Sequence, residues 1–256
     1  MIDSFSQFYY GTNVDRNSRF LNFDEGSGEL SAEIPVTSYT LSELATAVQS
    51  ALNSAGVDTY TVTVDRASRT FTISSDGTFS LLVSSGSQVG QSIFSLIGFT
   101  GADRATAASH TGDSSSGSVY KPQFKLQSYV DKDIFQQGVS TVVNKTTEGA
   151  VETVTFGTER FYEMDIKFIT DLPMDGKVIR NNPQGLADAI AFMQDISEKN
   201  RFEFMPDEND ADTFSKVILE SAPGFSQGTG FKLRELFNQN LRDIYETGIL
   251  KMRVVV

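Results

Sequence analysis

The chain of 256 residues has no cysteine, no tryptophan, one histidine and six prolines. Without cysteine there is no disulfide, no thiol nucleophile, no thiolate-bound zinc and no iron–sulfur cluster, and redox usage says nothing about compartment. Long hydrophobic runs are missing too. No stretch approaches the roughly 20 apolar residues that span a bilayer, and the opening MIDSFSQFYYGTNVDR places no basic flank before an apolar run. The expectation is a protein made and kept in aqueous surroundings, with no membrane span. Positive charge is scarce: 21 Lys and Arg stand against 33 Asp and Glu, for a formal net charge of -12. Phosphate backbones are bound mainly through clustered cations, so no sequence-specific nucleic acid is expected as a partner. An acidic surface favours solubility, and as a pore lining it would repel a passing polyanion.

What is present is apolar and aromatic: 39% hydrophobic residues, with 20 Phe and 8 Tyr, enough to build a core in one large domain or two ordinary ones. Two is the prior. Residues 5–36 read as extended, with Phe8, Tyr9 and Tyr10, then Phe20, Leu21 and Phe23, a turn at Gly26 and Gly28, and an alternating run of Leu30, Ala32 and Ile34 that stops at Pro35. A capped amphipathic helix follows over 41–54. Thr40 and Glu43 have capping-box spacing, Leu41, Leu44, Ala45, Val48 and Leu52 form the inner face, and Gly56 offers a left-handed stop.

Tyr60, Val62 and Val64, then Phe71 and Ile73, alternate with polar residues on either side of a polar loop, which predicts a hairpin covered by that helix. Phe79, Leu81 and Val83 extend the pattern, and 92–99 (SIFSLIGF) reads as a short buried helix ended by Gly98. The order approximates a split βαβ, ferredoxin-like unit that needs one more strand, with 119–126 as the candidate. Between lies TGADRATAASHTGDSSSGS, residues 100–118, with no Leu, Ile, Val, Met or aromatic, and the reading is a mobile loop or interface arm.

Beyond Tyr129 the pattern predicts successive strands through Val139, Val142 and Val143, through Val151, Val154 and Phe156, and through Tyr162, Met164, Ile166 and Phe168, bounded by Gly138, Gly149 and Gly157. A second helix is expected with Asn182 as cap, Pro183 at its first position, and Leu186, Ala189, Ile190, Met193 and Ile196 inward. Strands resume at 201–205, 214–220 and 249–256.

Chemical motifs are weak throughout. His110 lies in the Ala/Ser-rich loop, the wrong mount for a Ser-His-Asp catalyst, and is read as an ordinary solvated histidine. The run Asp207, Glu208, Asn209, Asp210, Ala211, Asp212 fails the calcium-loop pattern at Ala211, at its sixth position and for want of the twelfth-position glutamate, leaving a solvated turn. Gly26-Ser27-Gly28 and Gly228-Thr229-Gly230 lack the residues of a phosphate cradle. The 33 Asp and Glu leave paired-carboxylate glycoside chemistry as the enzyme alternative. No catalytic, cofactor or metal residue is assigned. The candidate interface residues are Ile249, Leu250, Met252, Val254, Val255 and Val256, whose apolar strand should be paired within the sheet or with a neighbour, together with Ala107, Ala108, Ser109 and His110 of the arm.

The block FLNFDEGSGELSAEIPVTSYTLSELATAVQSALNSAG, with YTVTVDRASRTFTISSDGTFSLL and SIFSLIGF, resembles a module that recurs in virion proteins of tailed bacteriophages, over about residues 20–105. There it is a small α/β domain carried on a structural protein, which implies assembly or attachment. The C-terminal half, through FGTERFYEMDIKFIT, QGLADAIAFMQDI, NRFEFMPD and TFSKVILE, is more loosely similar to the distal-tail family of phage tail-tip proteins. That likeness implies a homo-oligomeric β-sandwich ring beneath the tail tube, connecting it to hub and fibres, and brings no catalytic residues.

The expected fold is therefore α+β: a ferredoxin-like α/β module plus a mostly-β, sandwich-like domain with one packed helix. The expected division is an extended segment over 1–28 pairing with the C-terminal domain, the module over 29–126, and the β-rich domain over 127–256. The expected role is a structural part of a phage tail tip or baseplate, not an enzyme and without cofactor. Its partners would be itself, as a hexamer or other symmetric ring, and the tail tube, hub and fibre proteins of the virion, after synthesis in the host cytoplasm. The alternatives are a capsid decoration, head-fibre or neck protein and, more remotely, a carbohydrate-active tail enzyme.

Overall fold

A computed structural model describes residues 5–122, 135–145, 151–171, 184–210, 212–222, 233–235 and 243–255. In chain order the elements are β1 (Gln7–Tyr10), β2 (Phe20–Asp24), β3 (Glu29–Glu33), α1 (Leu41–Ala55), β4 (Tyr60–Asp65), β5 (Thr70–Leu81), β6 (Arg104–Thr111), β7 (Ser118–Tyr120), β8 (Phe135–Lys145), β9 (Val151–Asp165), α2 (Leu186–Ser197), β10 (Phe202–Met205), β11 (Ser215–Ser221), β12 (Arg234–Glu235), β13 (Tyr245–Glu246) and β14 (Ile249–Val254). Two helices with many antiparallel strands in two main sheets make an α+β, mostly-β fold, the class that the alternating patterns predict.

Two compact units share the chain: a module of Phe8–Val119 with Asn200–Glu203, and a second unit of Met1–Gln7, Tyr120–Lys199 and Phe204–Val256. The module is thus inserted in the sequence of the second unit. This division differs from the expected one, because β2 does not belong to a separate N-terminal segment. It pairs with β3, Phe23 opposite Leu30 and Leu21 opposite Ala32, and so closes part of the module's own sheet.

In the module, α1 begins as its capping box dictates. The Glu43 amide donates to Thr40 Oγ1 at 3.4 Å and the Thr40 amide to Glu43 Oε2 at 3.0 Å. Leu41, Leu44, Ala45, Val48 and Leu52 are buried against β3 and β4. The helix does not end on a left-handed residue. Gly56 is extended (φ -94°, ψ 175°), and glycine is required there because a Cβ would lie 2.4 Å from Glu25 Oε1.

The five-stranded sheet has the order β3-β2-β5-β4, with β6 also on β5. The predicted hairpin forms with Val62 opposite Ile73 and Val64 opposite Phe71. In a split βαβ the two strands flanking α1 share one central partner, whereas here β3 pairs with β2 and β4 pairs with β5. Of the expected closing strand, 119–126, residues 119–120 lie in β7, beside β1 in the other sheet, and 123–126 lie outside the described residues; the strand that joins β5 comes from the segment read as a mobile arm. Residues 104–111 form β6, in register with β5 through Thr72 and Thr111, Ile73 and His110, and Ser74 and Ser109. A strand of small residues can order there because β5 presents a free ladder edge and hydroxyls that match its own. Thr72 and Thr111 Oγ1 are 3.0 Å apart, and Ser74 and Ser109 Oγ are 2.9 Å apart.

Residues 92–99 form hydrogen-bonded turns rather than a helix, burying Ile93, Phe94, Ile97 and Phe99. Gly98 has φ +82°, and a Cβ there would meet the Ser114 carbonyl oxygen at 2.1 Å. The Gly98 carbonyl accepts from the amides of Asp113 and Ser114 at 2.8 and 3.0 Å.

The short segment 200–203 is stitched into the module by four contacts. The Arg201 amide donates to Ser38 Oγ at 3.2 Å, its guanidinium to Glu43 Oε1 at 3.1 Å, Phe202 packs on Phe8, and Arg66 pairs with the fully buried Glu203. Glu203 Oε1 has no hydrogen-bond partner among the described residues, so Arg66 is the charge that compensates it.

In the second unit, β11, β14, β9 and β8 lie side by side in that order, all antiparallel. Of the glycines expected to bound strands, Gly138 lies inside β8 and Gly157 inside β9, whose register shifts once between Val139 and Thr141, and Gly149 lies outside the described residues. Helix α2 starts later than expected, with Gly185 as cap; Asn182 and Pro183 lie outside the described residues. Asp171 Oδ1 accepts from the Leu186 amide at 2.7 Å, and a Cβ on Gly185 would sit 1.9 Å from that oxygen. Ala189, Phe192, Met193 and Ile196 are buried, with the Phe192 ring stacked on Tyr120 at 5.0 Å.

Arg66→Met leaves Glu203 charged and buried, and should cost about 3–5 kcal/mol in urea unfolding of the whole chain. Gly98→Ala, which adds strain at a left-handed residue and a clash with a backbone oxygen, should lower stability by about 2 kcal/mol or more by the same measurement.

Candidate functional site

Several carboxylates in and beside the module's loops are held by backbone amides and hydroxyls, and those partners define what they do. Glu25 accepts from the Val57 amide at 3.1 and 3.0 Å, the Asp58 amide at 3.2 Å and the Tyr60 hydroxyl at 2.9 Å. Burial raises the Glu25 pKa, but the amides of Val57 and Asp58 and the Tyr60 hydroxyl outweigh it, holding the carboxyl below its ordinary range. Burial and the same carboxylate push the Tyr60 phenol upward. Asp103 accepts from the amides of Ser84 and Ser85 at 2.7 and 3.1 Å, and the Ser85 hydroxyl leads the causes that lower its pKa. Asp24 accepts from Gly26 and Gly28 at 2.6 and 3.0 Å, closing the turn the sequence predicts there. These anions stand in for missing backbone acceptors.

The histidine is not solvated as expected. His110 is 8% exposed, its Nε2 lies 2.9 Å from the Phe79 carbonyl oxygen, and its ring meets the Phe79 ring edge-on at 4.7 Å. It became a core residue because β6 formed, placing position 110 opposite buried Ile73 on the inner face. Its neighbours diverge. Ala107 is half-buried, whereas Ala108 and Ser109 are exposed.

The other candidate interface lies in the interior of a sheet. β14 is paired on one side with β11, Val217 opposite Val254, and on the other with β9, Leu250 opposite Met164. Leu250 and Met252 are buried, Val254 and Val255 half-buried and Ile249 56% exposed; Val256 lies outside the described residues. β14 thus has a strand partner on each side, β11 over Lys251–Val254 and β9 over Ile249–Arg253.

The acidic run forms side-chain turns. Asp207 Oδ1 accepts from the Asn209 amide at 2.8 Å, and Asp210 from the amides of Asp212 and Thr213 and the Thr213 hydroxyl at 2.6 Å. The Thr213 hydroxyl leads the causes that lower the Asp210 pKa. Ala211 and Gly228-Thr229-Gly230 lie outside the described residues. Among the described residues, no group of three or more His, Asp or Glu is placed to hold a metal ion, and no helix is long and apolar enough to cross a membrane.

Two features of the site escape sequence reasoning. Asn53 of α1 accepts from the Tyr60 amide at 2.6 Å and donates to the Tyr60 carbonyl at 3.2 Å, while Gln49 accepts from the Val62 amide at 3.0 Å. Both amides lie on a helix yet finish the outer edge of β4. The other feature is β6 itself, an eight-residue strand paired only with β5 among the described residues. The RATAASHT pattern contains no apolar row, and only the Thr residues hint at extended backbone.

Comparison with known protein families and with curated proteins returns no match for the chain.

Glu25→Gln should cost about 1 kcal/mol at pH 7 through weakened hydrogen bonds. Because the folded pKa of Glu25 is depressed, its contribution is present above the ordinary value of about 4.5 and is lost as pH falls through the lower folded value. Thermal unfolding from pH 7 to pH 3 should show parent and variant converging on the acid side.

Proposed function

We propose that this chain is a structural subunit of a bacteriophage tail tip or baseplate, a homo-oligomeric ring component that joins the tail tube to hub or fibre proteins of the virion. The observation that carries the reading is the insertion of one compact module into the chain of a second, β-rich unit. Its entry and exit run together: β1 and β7 are neighbours, and a Cβ on Gly117 would lie 2.8 Å from the Tyr10 carbonyl oxygen. Adjacent termini are what allow a domain to be added to a host chain without disturbing it.

That arrangement supports the likeness to a virion module carried on a structural protein. The carboxylates support it too, since those of Glu25, Asp24, Asp103 and Asp171 hold backbone amides in place, a use suited to a rigid scaffold. On this reading the chain works by self-assembly and docking, not by turnover.

Mass photometry and negative-stain imaging of the purified full chain test it. Closed rings of about six or twelve copies are expected. A solely monomeric protein at micromolar concentration, or a trimer that binds phage capsids, would overturn the tail-ring reading, the latter in favour of a decoration protein.

A further inference from the structure

The loop between β4 and β5 carries a cation that the chain itself leaves unanswered. Carboxylates outnumber cations in this protein, and the module's other half-buried arginines each have one. Arg19 pairs with Glu33 at 2.8 Å, Arg201 with Glu43 at 3.1 Å, Arg66 with Glu203 and Arg104 with Asp113. Arg16 is exposed to solvent. Arg69 is half-buried, yet among the described residues its guanidinium neither pairs with a carboxylate nor donates a hydrogen bond. It lies over the Tyr9 ring, 5.9 Å from the centroid, at the outer limit of a cation–π contact. Burial leads the causes that lower the Arg69 pKa, and no carboxylate is among them.

The backbone also works against this residue. Arg69 has φ +58°, a left-handed conformation that Gly or Asn adopts at lower cost. The loop is nonetheless pinned in place. The Arg69 carbonyl accepts from the Ser116 amide at 2.8 Å, the Ser68 carbonyl from the Ser115 hydroxyl at 2.7 Å, and the Arg66 carbonyl from the Tyr9 hydroxyl at 3.0 Å. Of the guanidinium nitrogens, Nη1 alone is shut away without a partner. Nε and Nη2 share the other edge of the plane, two parallel N–H donors that match the two oxygens of a planar carboxylate.

From this unpaired fork on a strained but pinned mount, we infer that Arg69 is a binding residue for a single carboxylate supplied from outside this chain. Charge selects the ligand among oxyanions. A net charge of -12 opposes a dianion such as phosphate about twice as strongly as a monoanion. Binding at Arg69 does not require the tail-ring assembly.

The test is a titration of the full chain with sodium acetate, followed through the arginine Nε–Hε NMR signals, with sodium chloride at equal ionic strength as the reference. The Arg69 signal, identified by its loss in Arg69→Asn, should shift saturably and about threefold or more further than that of Arg16, while the signals of the paired arginines stay in place. Sodium phosphate at the same ionic strength should shift it less. Arg69→Asn removes the unpaired cation and relieves the torsion, so in chloride it should melt at or above the parent's temperature, and it should lose the extra melting temperature that acetate gives the parent. An Arg69 signal that moves no further than that of Arg16, or that responds more to phosphate than to acetate, overturns the proposal. So does an Arg69→Asn protein that melts below its parent in chloride, which would assign the arginine to its contact with Tyr9.

Discussion

Pairing along both edges of β5 is the constraint on which the module depends. This strand, Thr70–Leu81, holds β4 over Thr70–Ser75, meets β2 at Ser80 and Leu81, and holds β6 on its other edge. Phe71, Ile73, Phe79 and Leu81 all reach full burial because β5 has partners on both sides. Tyr60 and Phe79 meet edge-on at 5.0 Å, and His110 closes the far side of Phe79 at 4.7 Å, so the aromatic core runs across three strands. Without β6, the Phe79 carbonyl would lose its imidazole partner and one edge of the ring would face water.

Around that strand, the acidic composition serves local structure. A chain with 33 carboxylates and few cations cannot neutralise them in ion pairs. Many instead accept from backbone amides at turns and helix ends, where a carboxylate gains hydrogen bonds without needing a cation. Glu25 and Asp171 illustrate the consequence for glycine: Gly56 and Gly185 are needed less for unusual torsions than because the carboxylate occupies the space of a Cβ. The exception is Glu203, buried without amides and dependent on Arg66. That pair, with Arg201 on Glu43, selects where segment 200–203 sits in the module.

Elements with a strong periodic pattern were legible. Helix α1 could be read to within a residue, since Thr40 and Glu43 mark its start and five apolar residues define one face. The β4–β5 hairpin was legible in its two strands and their shared inward face, because Val62 and Ile73 alternate with polar neighbours; the pairing of Val62 with Ile73 came from the structure. The buried stripe of α2 was partly legible: Ala189, Met193 and Ile196 are buried as expected, while Leu186 and Ile190 are half-buried and Phe192, stacked on Tyr120, is buried instead. β6 was illegible. Its ordering comes from the ladder and hydroxyls of β5 rather than from apolar side chains of its own, and composition therefore pointed to a loop.

By itself, the sequence determined the α+β class, the capped helix and its covered hairpin, the exclusion of cysteine chemistry, and the acidic surface. These follow from local spacing and from composition, which act over a few residues or over the whole chain. Tertiary structure alone decided which strands became edges, that His110 entered the core, that β14 lies between two partners, and that 200–203 returns to the module. Each of these depends on which distant backbone edge or buried charge is left needing a partner, a quantity no local pattern contains.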